Sequence, residues 1–164
     1  MTGLKLYLLV LMVLFASFKT IRVQAQAVDI GGVSEVSGYA QIKRLGSSSS
    51  SLNYDADLDF SIQTNDEAVT TNGRMAIKFL DDSTVKLTEH SQLTIDKYIY
   101  DPDPSKSQMA LTFGLGTARF ISGKLGKIDR KNISLKTPTA DIAIRGTDFT
   151  ATVDELGRSL IILL

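Results

Sequence analysis

From Val28 onward the chain alternates apolar and polar residues with a period of two, and nothing else in it restricts the fold as strongly. Leu58, Phe60 and Ile62 alternate with Asp59 and Ser61; Met75, Ile77 and Phe79 alternate with Ala76 and Lys78. Val85 and Leu87 flank Lys86, Leu93 and Ile95 flank Thr94, and Ile133 and Leu135 flank Ser134. Ile142 and Ile144 flank Ala143, while Phe149, Ala151 and Val153 alternate with Thr150 and Thr152. Side chains on a strand point alternately to opposite faces, so each run predicts a strand with one face on a core and one toward water. Turn residues separate the runs. Asn72-Gly73 and Asp81-Asp82-Ser83 read as tight turns, the first with the residues a left-handed position prefers. Asp101-Pro102-Asp103-Pro104 is a bend that cannot join a ladder, Asp154 to Gly157 closes a last hairpin, and the serine run 47–51 is a surface loop. The spacing predicts an all-β fold: one sandwich or roll-like domain of about eight to ten short, mostly antiparallel strands.

Residues 1–27 follow a different rule. Lys5 provides a basic start, and Leu6 to Phe18 form an apolar run interrupted only by Ser17. A polar stretch, Lys19 to Gln24, then leads to Ala25-Gln26-Ala27. This is the order of a secretory signal peptide, with a helical apolar stretch and cleavage after Ala27. The rival is an uncleaved anchor, against which a 13-residue run is short beside the ~20 residues of a spanning helix. The expected layout is a signal peptide over 1–27 and a domain over 28–164, periplasmic or secreted, with no stable membrane span after cleavage.

Composition matters here for what it removes. The chain has 164 residues, enough for one domain with a real core and too few for two. With no cysteine, disulfide scaffolds, thiolate metal sites and cysteine nucleophiles are excluded. The 18 basic residues lose Lys5, Lys19 and Arg22 with the leader, leaving 15 against 18 acids. A mildly acidic exported domain does not seek phosphate, so no nucleic-acid partner is expected.

The residues that could carry chemistry do not assemble into a motif. His90, the single histidine, lies in the polar turn Thr88 to Gln92, and no G-x-S-x-G elbow accompanies it. Asp55, Asp57 and Asp59 have the opening spacing of a calcium loop, but Phe60 stands where the glycine belongs and Asp66 where the bidentate glutamate belongs. They read instead as acids on the wet face of a strand, or as a strand that begins at Asp57. Asp101 and Asp103 make at most a weak divalent-ion site. Gly114-Leu115-Gly116 lacks the third glycine and the βαβ context of a dinucleotide fingerprint, and its glycines read as a bulge or a close backbone approach. Lys124, Lys127, Arg130 and Lys131, following Arg119, form a basic cluster that is either a solvated loop or a patch for an acidic partner or anionic envelope polymer. No catalytic residue, metal site or cofactor is expected. The apolar strand Leu160 to Leu164 has two readings: a central strand buried on both faces, or an edge where the sequence stops before its domain does.

Several segments in order resemble the FecR-type domain. Val33-Ser34-Glu35-Val36-Ser37-Gly38-Tyr39-Ala40-Gln41-Ile42 is similar to its G-x-V-x-x-V-x-G-x-A-x-V opening. Ile62 to Thr71 matches a following segment that ends in threonine. Gly73 to Leu87 resembles its strand, D-G-S turn and second strand, with Asp81 and Ser83 in place and Asp82 replacing the turn glycine. Leu93 to Pro102 follows, then Phe113 to Leu125, similar to a G-x-x-R-F-x-x-G-K stretch. Lys136 to Phe149 resembles the T-P-x-A-x-x-x-x-R-G-T-x-F signature through Thr137, Pro138, Arg145, Gly146, Thr147 and Phe149.

The resemblance implies a structural role for these signature residues, with Arg145 an internal anchor, and a further strand beyond the last hairpin. The family's namesake is a membrane-spanning regulator that senses an iron-uptake receptor and controls a sigma factor. Only Met1 to Lys5 precede the apolar run here, so sigma regulation within this polypeptide is not implied. The resulting expectation is an exported, non-catalytic module binding a protein or polymer in the cell envelope. Its alternatives are a periplasmic sensor or regulatory component working with a separate membrane protein, and a small secreted hydrolase using carboxylates.

Overall fold

A computed structural model describes residues 28–46, 50–127, 132–143 and 148–164; the leader, much of the serine loop, Arg130 and Lys131, and Arg145, Gly146 and Thr147 lie outside them. Among the described residues thirteen strands form one curled sheet. In chain order these are β1 Asp29–Ser37, β2 Ala40–Leu45, β3 Ser51–Asp55, β4 Ser61–Gln63, β5 Glu67–Thr70, β6 Arg74–Phe79, β7 Thr84–Leu87, β8 Gln92–Ile99, β9 Gln108–Ile121, β10 Ile133–Lys136, β11 Asp141–Ala143, β12 Phe149–Val153 and β13 Ser159–Leu163. The fold is all-β and, but for the parallel β9–β10 pair, antiparallel throughout. Thirteen strands exceed the eight to ten read from the sequence: β4 and β11 are only three residues long, too short for alternation to be seen, and β3 begins at Ser51 inside the serine run read as loop.

The 14-residue strand β9 organises the molecule. Its first half pairs with β8 and β10, and its second half with β7 and β12. One layer therefore runs β3-β2-β5-β8-β9-β10-β11, and the other runs β4-β1-β6-β7-β9-β12-β13. We call these the B and A layers. Connections that pass between them include β1 to β2, β3 to β4, β4 to β5, β5 to β6, β7 to β8 and β11 to β12. The Asn72-Gly73 and Thr88–Ser91 turns are thus corners between layers rather than hairpins. Neither Asn72 nor Gly73 takes the left-handed conformation; that belongs to Gly38 at the neighbouring corner. Gly73 is needed for close approach, since a Cβ there would lie 2.5 Å from the Tyr39 nitrogen.

Where β9 passes from one layer to the other, Gly116 adopts φ +92°, and a Cβ on it would fall 2.2 Å from Ser91 Oγ. Only glycine fits there, which is the close-approach role the sequence suggests for this glycine pair. The corner backbone is satisfied by buried hydroxyls. Thr70 Oγ1 donates to the Thr88 carbonyl at 2.5 Å and accepts from the Ser91 N–H at 2.9 Å. Ser91 Oγ donates to the Thr117 carbonyl at 3.2 Å and accepts from the Thr117 N–H at 3.1 Å. A buried backbone group without a partner costs about as much as a lost hydrogen bond, so these side chains make the corners affordable in free energy.

The inner faces fill the space between the layers. Met75, Ile77, Val85, Leu87, Phe120, Phe149 and Ala151 come from the A layer, and Ile42, Ala68, Leu93, Ile95, Leu111, Phe113 and Leu135 from the B layer. Phe113 and Phe120, on the two halves of β9, meet edge to face at 6.2 Å, and Phe120 stacks on Phe149 at 4.9 Å. Among the described residues no helix is long and apolar enough to cross a membrane.

Two sequence expectations need correction. The alternating run 58–62 is not one strand: Phe60 N–H bonds the Asp57 carbonyl, Asp59 takes φ +63°, and exposed Leu58 points outward in the resulting turn. β4 begins only at Ser61. Of the two readings of the terminal strand, burial on both faces is not what the structure shows: among the described residues β13 pairs with β12 alone, and Leu160, Ile162 and Leu163 are exposed.

Candidate binding surface

The described signature residues cluster at two joints. At the β6–β7 turn, Asp81 is fully buried and is a hub of hydrogen bonds. Its carboxyl accepts from the Ser83 hydroxyl, from Tyr98 Oη at 3.0 Å, from the Ser83 N–H at 3.3 Å and from the Leu125 N–H at 3.1 Å. Its carbonyl accepts from the Lys124 N–H at 2.7 Å, and Ser83 Oγ accepts from the Gly123 N–H at 3.1 Å. One aspartate thus ties the A-layer turn to β8 and to the loop after β9. Burial, followed by the Asp81 charge, pushes the Tyr98 phenol far above its ordinary value, so Tyr98 remains a neutral donor. Asp82 takes φ +67°, a conformation that glycine adopts freely, and pairs with Lys78 at 3.3 Å and Lys124 at 2.9 Å.

At the second joint Thr137 and Pro138 meet the last hairpin. Thr137 Oγ1 accepts from the Ala140 N–H at 3.1 Å and from Ser159 Oγ at 2.7 Å. A Cβ on Gly157 would contact the Pro138 ring at 3.2 Å. Phe149 lies in the core against Phe120. The expected anchor Arg145, with Gly146 and Thr147, falls outside the described residues.

A third buried joint escaped the sequence. Arg44 on β2 reaches Asp66, which is fully buried, through Nε at 2.8 Å and a second nitrogen at 2.6 Å. The same guanidinium donates to the Ser61 carbonyl at 2.8 Å and lies 5.8 Å from the Tyr54 ring centre and 5.4 Å from that of Phe60. The Asp66 hydrogen bond raises the Arg44 pKa. No local pattern links positions 44 and 66, so nothing in the sequence announces the pair.

The open surface with most chemical variety is the outer face of the A layer. Strand register lines up Glu35, Ala76, Lys86, Arg119, Thr150 and Ile162 as one row across β1, β6, β7, β9, β12 and β13. Ala76 is the small member, and the longer side chains around it leave a trough of about 520 Å³ walled by Glu35, Arg74, Lys86, Arg119, Thr88 and Thr117. A second hollow of about 520 Å³ shares Thr88 and Thr117 and continues to His90, Asp154 and Arg158. The cations pair with acids at the rim: Arg74 with Glu89 at 2.9 Å, Lys86 with Glu35 at 2.7 Å, and Arg119 with Asp148 through Nε at 3.0 Å. These guanidinium contacts hold the Glu89 and Asp148 carboxyls below their ordinary values. Such a surface can exchange its internal ion pairs for those of a partner. Among its described residues no nucleophile is bonded to a base.

The residues weighed for chemistry stay apart. His90 sits exposed at the corner with φ +54°. Asp55 ends β3, whereas Asp57 and Asp59 sit in the following turn, and among the described residues no three His, Asp or Glu gather as metal ligands. Asp103 caps a short 3-10 turn over Pro104–Lys106. The basic cluster is not one patch in its described part: Arg119 is committed to Asp148 and Lys124 to Asp82.

Neither a curated protein nor a solved structure matches the chain. A family model described as FecR protein matches residues 65–163, from the turn just before β5 through the end of β13. The chain belongs to the FecR family, a family of signalling-related regulators.

Proposed function

We propose that this protein is an exported, non-catalytic FecR domain that recognises a protein or polymer of the cell envelope through the outer face of its A layer. The signal peptide over 1–27 delivers residues 28–164 to the periplasm or the exterior, and the signature joints at Asp81–Ser83 and Thr137–Pro138, together with Arg145, Gly146, Thr147 and Phe149, serve the fold rather than the ligand. The observation that carries this reading is the trough around Ala76. It is an open hollow on a rigid sheet, with an apolar floor, hydroxyls from Thr88, Thr117 and Thr150, and guanidinium and ammonium groups on its walls. Sites with a few convergent polar groups over an apolar floor are where ligands bind.

Membership of a signalling-related family supports a second reading in which the bound partner is a membrane protein and the domain is the sensor component of a signalling system. Both readings use the same surface. The test is binding of the purified chain to envelope extract, comparing wild type with Lys86→Glu/Arg119→Glu. Retention by the extract should fall at least tenfold in the variant while circular dichroism stays unchanged. Undiminished retention would show that recognition lies elsewhere, and turnover of an envelope glycan or peptide by the wild type would overturn the non-catalytic reading. Recovery of a sigma-regulating complex in the retained fraction selects the sensor reading.

A further inference from the structure

Lys86 and Arg119 stand directly opposite each other across β7 and β9, on the outer face of the A layer. The Cβ atoms of such a cross-strand pair are about 4.5–5.5 Å apart, and like charges so placed repel. The two cations turn away from each other. Lys86 reaches back past Ala76 to Glu35 on β1 at 2.7 Å. Arg119 turns the other way, to Asp148 just before β12, through Nε at 3.0 Å. Arg74, two residues from Ala76 on the same face of β6, pairs with Glu89 at 2.9 Å. Each of these six side chains is at least 31% exposed. Ion pairs this open to water contribute little and exchange readily.

The face therefore carries positive charge at its centre and negative charge at its rim. The trough is walled by Arg74, Lys86 and Arg119 against the acid Glu35, while Glu89 and Asp148 stand outside its lining. An anion entering between Lys86 and Arg119 relieves their repulsion and meets two charged donors at once. Its entry frees Glu35 and Asp148, which lie at opposite ends of the row, four strand spacings or about 19 Å apart. A uniformly anionic polymer spanning that length meets both acids with like charge. A protein segment of about six extended residues, acidic in the middle and basic at its ends, meets every one of these groups with the opposite charge. We propose that the trough takes an acidic side chain of a partner protein between Lys86 and Arg119, while Glu35 and Asp148 pair with basic residues on either side of it. The proposal rests on the reading of this face as the recognition surface and narrows its ligand from protein or polymer to a protein of mixed charge.

The test uses the full-length protein and fluorescent synthetic peptides, with binding read by anisotropy. The first peptide has glutamates in the middle and lysines at both ends, the second has the same composition in the inverted order, and the third is glutamate throughout. Polygalacturonate, competing against the first peptide, serves as the uniformly anionic polymer. The first peptide should bind about fivefold more tightly than the second, the scale of two exposed ion pairs, although the two have the same net charge. Lys86→Gln/Arg119→Gln should remove that preference. Glu35→Gln/Asp148→Gln should turn it toward the glutamate peptide. Equal binding of the first two peptides, or binding of neither, would overturn the proposal. Tighter binding of the glutamate peptide or of polygalacturonate to wild type would also overturn it, and would assign the trough to a polyanion. Each of these outcomes leaves the outer face as the recognition surface if Lys86→Glu/Arg119→Glu still loses its retention by envelope extract; undiminished retention removes that reading and the proposal together.

Discussion

Asp81 and Asp148 are both aspartates with several hydrogen bonds, yet they work in opposite ways. Asp81 is sealed from water beneath the β6–β7 turn and gathers donors from Ser83, Tyr98 and Leu125, so removing its carboxylate leaves the buried Leu125 N–H unpaired and takes the acceptor from the Tyr98 and Ser83 hydroxyls. Asp148 lies at the rim of the outer trough, where water replaces Arg119 as soon as the guanidinium leaves. The same contrast separates Asp66 from Glu35 and Glu89. Buried polar groups in this domain hold joints between strands, whereas exposed ones on the A layer are free to change partners. The difference is one of desolvation: an unpaired group costs little in water and several kcal/mol in the interior.

The largest effect expected from this contrast is at the hub. Asp81→Ala strands the Leu125 N–H and removes the acceptor of the Tyr98 and Ser83 hydroxyls, and should lower the unfolding free energy by about 3 kcal/mol, read by urea denaturation. Arg44→Ala leaves Asp66 buried without its cation. It should cost about 3 kcal/mol, and a loss near zero would mean that the Arg44–Asp66 joint is dispensable. At the seam, Gly116→Ala must place a methyl group where Ser91 Oγ and the His90 carbonyl already stand, in a backbone conformation that disfavours side chains. A loss of about 2–3 kcal/mol is expected, visible as a lowered thermal midpoint. If the alanine variant is as stable as wild type, β9 does not turn between the layers at Gly116.

The pH prediction is the smallest. Asp148, Asp154, Glu89, Asp82 and Asp103 all have lowered pKa values, caused first by hydrogen bonds to Arg119, Arg158, Arg74, Lys124 and Ser105 respectively. A lowered carboxyl contributes stability that is complete above its unfolded value and disappears as pH falls through the folded one. Thermal midpoints should therefore be flat from pH 7 down to about 5 and decline below about 4. Because these groups are exposed, the decline should be shallow and should shrink further in 0.5 M salt. A steep loss would mean that the rim pairs hold the fold after all.

What could be read from the sequence follows the same division. Period-two alternation is a local property, so the strands at Met75–Phe79, Val85–Leu87, Leu93–Ile95 and Phe149–Val153 were legible. The family segments marked Asp81, Ser83, Thr137 and Pro138 without saying what they touch. Which turns are hairpins and which are corners was not legible: Asn72-Gly73 has hairpin chemistry, and only the burial of both layers makes it a crossing. Leu58 kept the strand rhythm and still fell in a turn, because Asp59 adopts a left-handed conformation that alternation does not register. Arg44 with Asp66, and Thr70 with Ser91 and Thr117, were invisible because each joins residues from separate strands or corners. The trough depends on Ala76 lying in one row with Glu35, Lys86 and Arg119, and register is set by pairing across the chain rather than along it.

The claim that the outer A layer does the recognising is tested most directly by cross-linking in cells. A photo-reactive amino acid in place of Thr150, on the trough wall, is compared with one in place of Thr94, which faces outward from the B layer between buried Leu93 and Ile95. The account predicts a discrete envelope adduct from position 150 that is lost with Lys86→Glu/Arg119→Glu, and none from position 94. An adduct from position 94 alone, or one from position 150 indifferent to those charges, would contradict it.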